Sequence, residues 1–160
     1  MTVKTKDAPH RSLSFQSFDD VLAELDRIEA ASDRVRTTGN WSAGENLEHV
    51  AKFIGFSLDG FGGMAPWWFR RLAVAFMKKR ALGPGTMPAG IRLPSKASDM
   101  LPTPGTTLEG GLGALRTQIG RVQGGERMEQ PSPIFESMSH GDWTTIHLKH
   151  AALHLGFITY

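Results

Sequence analysis

Apolar residues recur along this chain at helical rather than strand spacing, and the pattern separates into distinct segments. Phe18, Val21, Leu22, Leu25 and Ile28 fall on one side of a helix. Ser17 and Asp20 precede and enter that run at capping-box spacing, which predicts the helix start. A turn-rich stretch ending in Gly39 and Asn40 leads to Ser42 and Glu45, the same arrangement, and predicts a second helix running to about Phe61. At about 100° per residue, Leu47, Val50, Ala51, Ile54, Leu58 and Phe61 form one stripe. Asn46, His49, Phe53 and Phe56 form a neighbouring stripe, leaving Glu45, Glu48, Lys52 and Asp59 as a narrow solvent-facing wedge. A helix apolar over most of its circumference packs against several partners.

Beyond it the pattern loosens. A short helix is expected between Pro66 and Leu82, with Phe69, Leu72, Ala73 and Phe76 on one side. Glycine and proline density from Gly83 to Pro104 predicts a long irregular connection. Leu108, Leu112, Leu115, Ile119 and Val122 mark a third long helix, closed by Gly124 and Gly125. Its interior glycines, Gly110, Gly111, Gly113 and Gly120, each cost about 1 kcal/mol against alanine, so close packing against a neighbour is expected there. Ser139 and Asp142 repeat the capping pattern ahead of a fourth helix from about His140 to Phe157. No segment alternates with a strand period, so the reading is an all-α helical bundle without a sheet.

Composition narrows the function classes. At 160 residues the chain reads as a single domain, 1–160, with a polar N-terminal arm, 1–15. Cysteine is absent, which removes disulfides, thiolate metal sites and cysteine nucleophiles. No signal peptide is visible, and Arg70, Arg71, Lys78 and Lys79 interrupt the most hydrophobic region. The expectation is therefore a cytoplasmic protein. A net charge of +2 gives no reason to expect nucleic acid as a partner. Seven basic residues, Arg70, Arg71, Lys78, Lys79, Arg80, Arg92 and Lys96, nevertheless lie between Asp59 and Asp99 with no acid among them. A solvated face is the first explanation, recruitment of an anionic small-molecule substrate the second, and an acidic membrane surface met through Trp67, Trp68 and Phe69 the last.

The chemistry concentrates in the fourth helix. Trp143, Ile146, His147, His150, Leu153, His154 and Phe157 share one stripe, which places three histidines toward the interior. A single buried histidine is ordinarily satisfied by a hydroxyl or a carbonyl. His150 and His154, however, stand one turn apart, the spacing by which a helix offers two nitrogens to one ion, with His147 in reserve. His10 lies on the polar arm and His140 at a helix start, whereas His49 sits mid-helix beside Phe53 and Phe56, which makes it the natural third ligand. Three neutral nitrogens suit zinc, nickel or iron(II) and leave a coordination position open. Glu45, one turn before His49, is either a capping carboxylate or a group that orients a ligand. His147 is either a proton shuttle or a satisfied core residue.

The segment Asn40-Trp41-Ser42-Ala43-Gly44-Glu45-Asn46-Leu47-Glu48-His49-Val50 resembles the W-S-x-x-E/Q-x-L-x-H entry to the second helix of the DinB superfamily. His150-Ala151-Ala152-Leu153-His154-Leu155-Gly156 resembles its closing H-x-x-x-H-x-G motif. The run from Pro66 through Lys79, with Met87-Pro88-Ala89-Gly90 and Leu101-Pro102, is similar to an uncharacterised bacterial branch of that superfamily. The chain departs from many members at Leu153 and Leu155, which flank His154. The resemblance implies an antiparallel four-helix bundle, often a homodimer, with a divalent metal on His49, His150 and His154. It also implies a low-molecular-weight thiol as a second cofactor, since characterised members include bacillithiol S-transferases and mycothiol-dependent maleylpyruvate isomerase. The functional expectation is a metal-dependent thiol S-transferase or hydrolase-like enzyme. The alternative is a non-catalytic metal-binding or stress-associated interaction protein on the same scaffold.

Overall fold

Three helix starts are built from the same reciprocal cap. In the computed structural model, which describes residues 3–90 and 95–160, α1 (Phe18–Ala30), α2 (Ala43–Asp59) and a later helix, His140–Gly156, each begin with a serine hydroxyl accepting from the N3 amide. The N3 carboxylate of Asp20, Glu45 or Asp142 accepts from the cap's own N–H. Each box satisfies two otherwise unpaired donors, so local sequence fixes where these helices begin. Gly60, at φ 110°, ends α2 in a conformation disfavoured for side-chain-bearing residues.

After α2, residues 67–82 form one continuous helical run: α3 (Trp67–Ala73), a π-turn (Val74–Lys78) and α4 (Lys79–Leu82). Pro66 occupies the cap position rather than the first turn. A 3-10 turn, Ser95–Met100, interrupts the irregular connection; the part of that connection at 91–94 lies outside the described residues. Then come α5 (Leu108–Gln123), capped by Thr107 Oγ1 on the Gly110 amide, and α6 (His140–Gly156).

The protein is mostly helical, and it also carries a small sheet that the hydrophobic pattern does not predict. β1 (Arg36–Thr37) pairs antiparallel with β2 (Ile158–Thr159), in register Arg36↔Thr159 and Thr37↔Ile158. Two residues per strand are too few to show a period of two, which is why the ladder is invisible in the sequence. The N-terminal arm is tied to this ladder. Arg11 donates its backbone N–H to Gly156 O (2.8 Å) and its Nε to Ile158 O (2.7 Å). Its guanidinium also meets the buried carboxylate of Glu24, which is shared with Arg27 and the Tyr160 hydroxyl. A Cβ at position 156 would stand 2.8 Å from Arg11 O, so Gly156 is the residue that lets the arm lie against α6.

The core runs from Phe18, Val21, Leu25 and Ile28 of α1 through Leu47, Val50 and Ile54 of α2 to Leu115 and Ile119 of α5 and Trp143, Ile146 and Leu155 of α6. Of the glycines in α5, Gly111 is the one pressed against a neighbouring helix. A Cβ there would meet Gly44 O at 2.5 Å, and one on Gly44 would meet Thr107 O at 2.2 Å. The expected close packing is therefore confined to this crossing, since Gly113 and Gly120 face open space. The wedge expected to face solvent on α2 is instead largely covered. Glu48 accepts from the Thr103 amide (2.6 Å) and from the Thr103 and Thr106 hydroxyls, while Lys52 Nζ reaches Leu101 O (2.9 Å). The end of the long connection is thus strapped along α2, beside the face that carries His49.

Candidate metal centre

Two helices and one loop carbonyl build the site. α2 presents His49 and Asn46, three residues apart and so on one side of the helix, and α6 presents His150 and His154 one turn apart. One ring nitrogen from each of His49, His150 and His154 can be chosen so that all three lie within 4.8 Å of one another. The His49 and His150 Nε2 atoms approach to 3.2 Å. The three rings meet edge to face, with centroids 4.5 to 4.9 Å apart.

The outer nitrogens fix the direction of the inner ones. His49 Nδ1 is 2.6 Å from the Met100 carbonyl, which can only accept, so Nδ1 carries the proton and the Nε2 lone pair faces the cluster. Asn46 Nδ2 donates to Trp41 O (3.2 Å) and Ser42 O (3.0 Å), which turns Asn46 Oδ1 toward His154 Nδ1 (3.2 Å) and makes that nitrogen a donor as well. Two imidazoles are therefore held in the tautomer that aims Nε2 inward, the outer support typical of metal-binding histidines. His150 differs: its buried Nδ1 has no partner among the described residues.

Burial makes these rings reluctant to take up protons. Loss of solvation lowers the proton affinity of His49 despite its bond to Met100, and it lowers those of His150 and His154 well below the ordinary histidine value. The neighbouring imidazoles add to the effect, because a positive charge on one opposes charge on the next. At neutral pH the cluster is a set of neutral nitrogen donors. Their arrangement also fits an ion: the 3.2 Å gap between the two Nε2 atoms is close to the edge of a tetrahedron, about 3.3 Å, for nitrogen bonds of about 2.0–2.1 Å. These three histidines could therefore hold a metal ion.

His49 and His150 are only 5% and 7% exposed, and His154 is the half-buried member. Trp41 lies stacked against His154 at 5.6 Å and tilted over His49 at 4.8 Å. Phe53 packs against His150 from the inner side.

Glu45 and His147, each with a structural and a chemical reading, form their hydrogen bonds outside the three-histidine cluster. Glu45 accepts from the Ser42 amide (2.7 Å) and the Gly105 amide (2.9 Å), so its two oxygens cap α2 and pin the loop. Those bonds, Gly105 first, hold its carboxyl below the usual range, and neither is to an imidazole. His147 is fully buried between Trp143 and Phe53, with Nε2 2.9 Å from Ser57 Oγ. Ser57 Oγ gives its own proton to Ile54 O (2.6 Å), so His147 Nε2 is the donor and Nδ1 is left a bare acceptor. Burial lowers its pKa to about 3. The Phe53 ring touches both His147 and His150, and His147 is not part of the three-nitrogen cluster. Of the remaining histidines, His140 Nδ1 accepts from the Met128 amide (3.1 Å), while His10 packs against Phe157.

Sequence reasoning did not assign Asn46, Trp41 or the Met100 carbonyl to the site. Asn46 had a legible signal, an amide on the same buried stripe as His49. The Met100 contact had none, because a backbone carbonyl carries no residue identity and its loop is placed by Glu48 and Lys52.

The model of the family described as protein of unknown function, DUF1569, matches residues 7–160. No curated protein and no solved structure matches the chain.

Proposed function

We propose that this chain, which belongs to the DUF1569 family over nearly its whole length, is a divalent-metal-dependent enzyme of the DinB type acting on a small-molecule substrate. On this reading α1, α2, α5 and α6 are the four members of an antiparallel bundle, and His49, His150 and His154 hold zinc, nickel or iron(II). The observation that carries the proposal is the convergence of three low-basicity imidazoles, two of them locked in the donor tautomer by Met100 O and Asn46 Oδ1. An ion bound there supplies a Lewis acid that makes a water or a thiol available as a nucleophile near neutral pH.

The chain's own groups do the rest. His49 and His154 keep their inward lone pairs because their outer protons are committed. Trp41, packed on His49 and His154, covers that side of the cluster. Glu45 positions: it holds the start of α2, and with it the elevation of Asn46 and His49. The reaction class is a thiol S-transfer or a hydrolysis.

Elemental analysis of protein purified under metal-replete conditions tests the site. About one divalent ion per chain is expected, lost in His150→Ala, and a metal-free wild type refutes the proposal. Turnover of a small thiol with an electrophile, absent in the same variant, then tests the enzyme. A stoichiometric ion without turnover of either class supports a second reading, a non-catalytic metal-binding protein. The low exposure of His49 and His150 favours that reading.

A further inference from the structure

The helical run 67–82 breaks the pattern of the rest of the molecule. Trp67, Trp68, Phe69, Leu72, Val74, Phe76 and Met77 are all exposed, with Trp67 at 70% and Phe76 at 76%, while Ala73 alone in the run is buried. Trp68, Leu72 and Phe76 recur every fourth residue and so form one apolar ridge along the outer side. The neighbouring ridge, Trp67, Arg71, Ala75 and Lys79, is aromatic at its start and cationic along its length.

The basic residues divide by direction. Arg70 and Lys78 turn to the body: Arg70 pairs with Glu136 (3.9 Å), and Lys78 Nζ donates to Ser137 O (2.5 Å) and stands 3.7 Å from Asp142. The π-turn at Val74–Lys78 places Lys78 one wide turn beyond buried Ala73, on the same inward side. Lys149 of α6 anchors the end of the run through the Ala81 and Gly83 carbonyls. Arg71, Lys79 and Arg80 remain exposed and belong to no ion pair among the described residues. Arg92 and the side chain of Lys96 lie outside the described residues.

From this arrangement we propose that helix 67–82 is a docking surface for an anionic lipid bilayer. It lies in the interface, with Trp68, Leu72 and Phe76 inserted at the level of the acyl boundary and Arg71, Lys79 and Arg80 on the headgroup phosphates. A ridge of large apolar side chains bordered by tryptophan and cations is the chemistry such a surface selects. Charge decides between occupants. Arg71, Lys79 and Arg80 are the exposed cations of the run and no acid stands within it, so a second copy laid on the same face would set cation against cation. An anionic bilayer supplies both the missing counter-charge and an apolar phase. At about 1.5 Å per residue the run is about 24 Å long, enough to lie on a membrane; no helix among the described residues is long and apolar enough to cross one.

Co-sedimentation of the whole protein with vesicles tests this. Binding is expected to phosphatidylcholine vesicles containing phosphatidylglycerol, and to fall at least about tenfold on pure phosphatidylcholine. It is expected to be abolished in Trp68→Glu/Phe76→Glu and reduced at least about tenfold in Arg71→Glu/Lys79→Glu/Arg80→Glu, with circular dichroism unchanged in both variants. Wild-type protein that stays in the supernatant with anionic vesicles overturns the proposal. So does binding that neither variant weakens. Sedimentation velocity covers the other occupant: a stable dimer dissociated by Phe76→Glu, without vesicle binding, assigns the face to a second copy and overturns it equally.

Discussion

The three-imidazole cluster and the helix at 67–82 invert the ordinary arrangement of residues in opposite senses. In the first, polar rings are taken out of water among Phe53, Trp41 and the core of α2 and α6. In the second, seven large apolar side chains are left in it. Folding alone favours neither, since a buried ring nitrogen without a partner and an exposed tryptophan both forgo stability. The cluster is held rigidly, by capping boxes, a glycine crossing and a strapped loop. The outer helix touches the body through buried Ala73, a few cations, and the partly buried Ala81 and Leu82 at its end. Rigid placement suits a group that must point at one atom, and a loosely seated apolar ridge suits a broad, deformable partner.

Acid should separate the two regions most strongly. His147 titrates at about 3 in the folded protein against about 6.5 when unfolded. The unfolded chain therefore binds the proton first, and stability is lost as pH falls from 6.5 toward 3. His49, His150 and His154 shift in the same direction. Carboxylates enter only below about pH 4.5, so the window from 6.5 to 5 belongs to the imidazoles. Urea denaturation of metal-free protein should show a loss of about 1.7 kcal/mol across that window from His147 alone, with His49, His150 and His154 adding to it in the same direction. A flat profile there contradicts the burial of these rings.

Gly44→Ala comes next. Its Cβ would stand 2.2 Å from the Thr107 carbonyl, a backbone atom that cannot move without shifting α5. A loss of about 2–3 kcal/mol is expected in thermal unfolding, whereas Gly113→Ala, which faces open space, should be neutral or slightly stabilising.

Asn46→Ala probes the support of the cluster more gently. Metal affinity measured by competition with a chelator should fall about 10–100-fold, and Asn46→Asp, which keeps the acceptor for His154 Nδ1, should recover most of it. If Asn46→Ala binds as tightly as wild type, the amide does not orient the ring.

On the outer helix the expected effect on folding is smallest. Phe76→Ser removes a ring that is 76% exposed and should change the unfolding free energy by no more than about 0.5 kcal/mol. A larger loss would show that the helix packs against the body through Phe76 and would remove the contrast with the cluster.

Sequence alone determined what depends on neighbours along the chain. The starts of α1, α2 and α6 were legible because a serine and a carboxylate three residues on are enough to cap a helix, and His150 and His154 were legible as a pair because helical geometry puts i and i+4 on one side. His49 could be named as a partner from its place on a buried stripe. The tertiary structure decided everything that depends on distant chain segments. It joined Arg36–Thr37 to Ile158–Thr159 across nearly the length of the molecule, a pairing too short to leave a periodic trace. It also brought the Gly105 amide to Glu45 and Ser57 to His147, partners that local spacing does not reveal. Met100 was brought to His49 through a loop whose backbone carbonyl has no signature in residue identity. Phe69, Leu72, Ala73 and Phe76 were expected to share a side; packing buries Ala73 against the body and leaves the other three exposed, because periodicity reports which residues lie near one another and not what they meet.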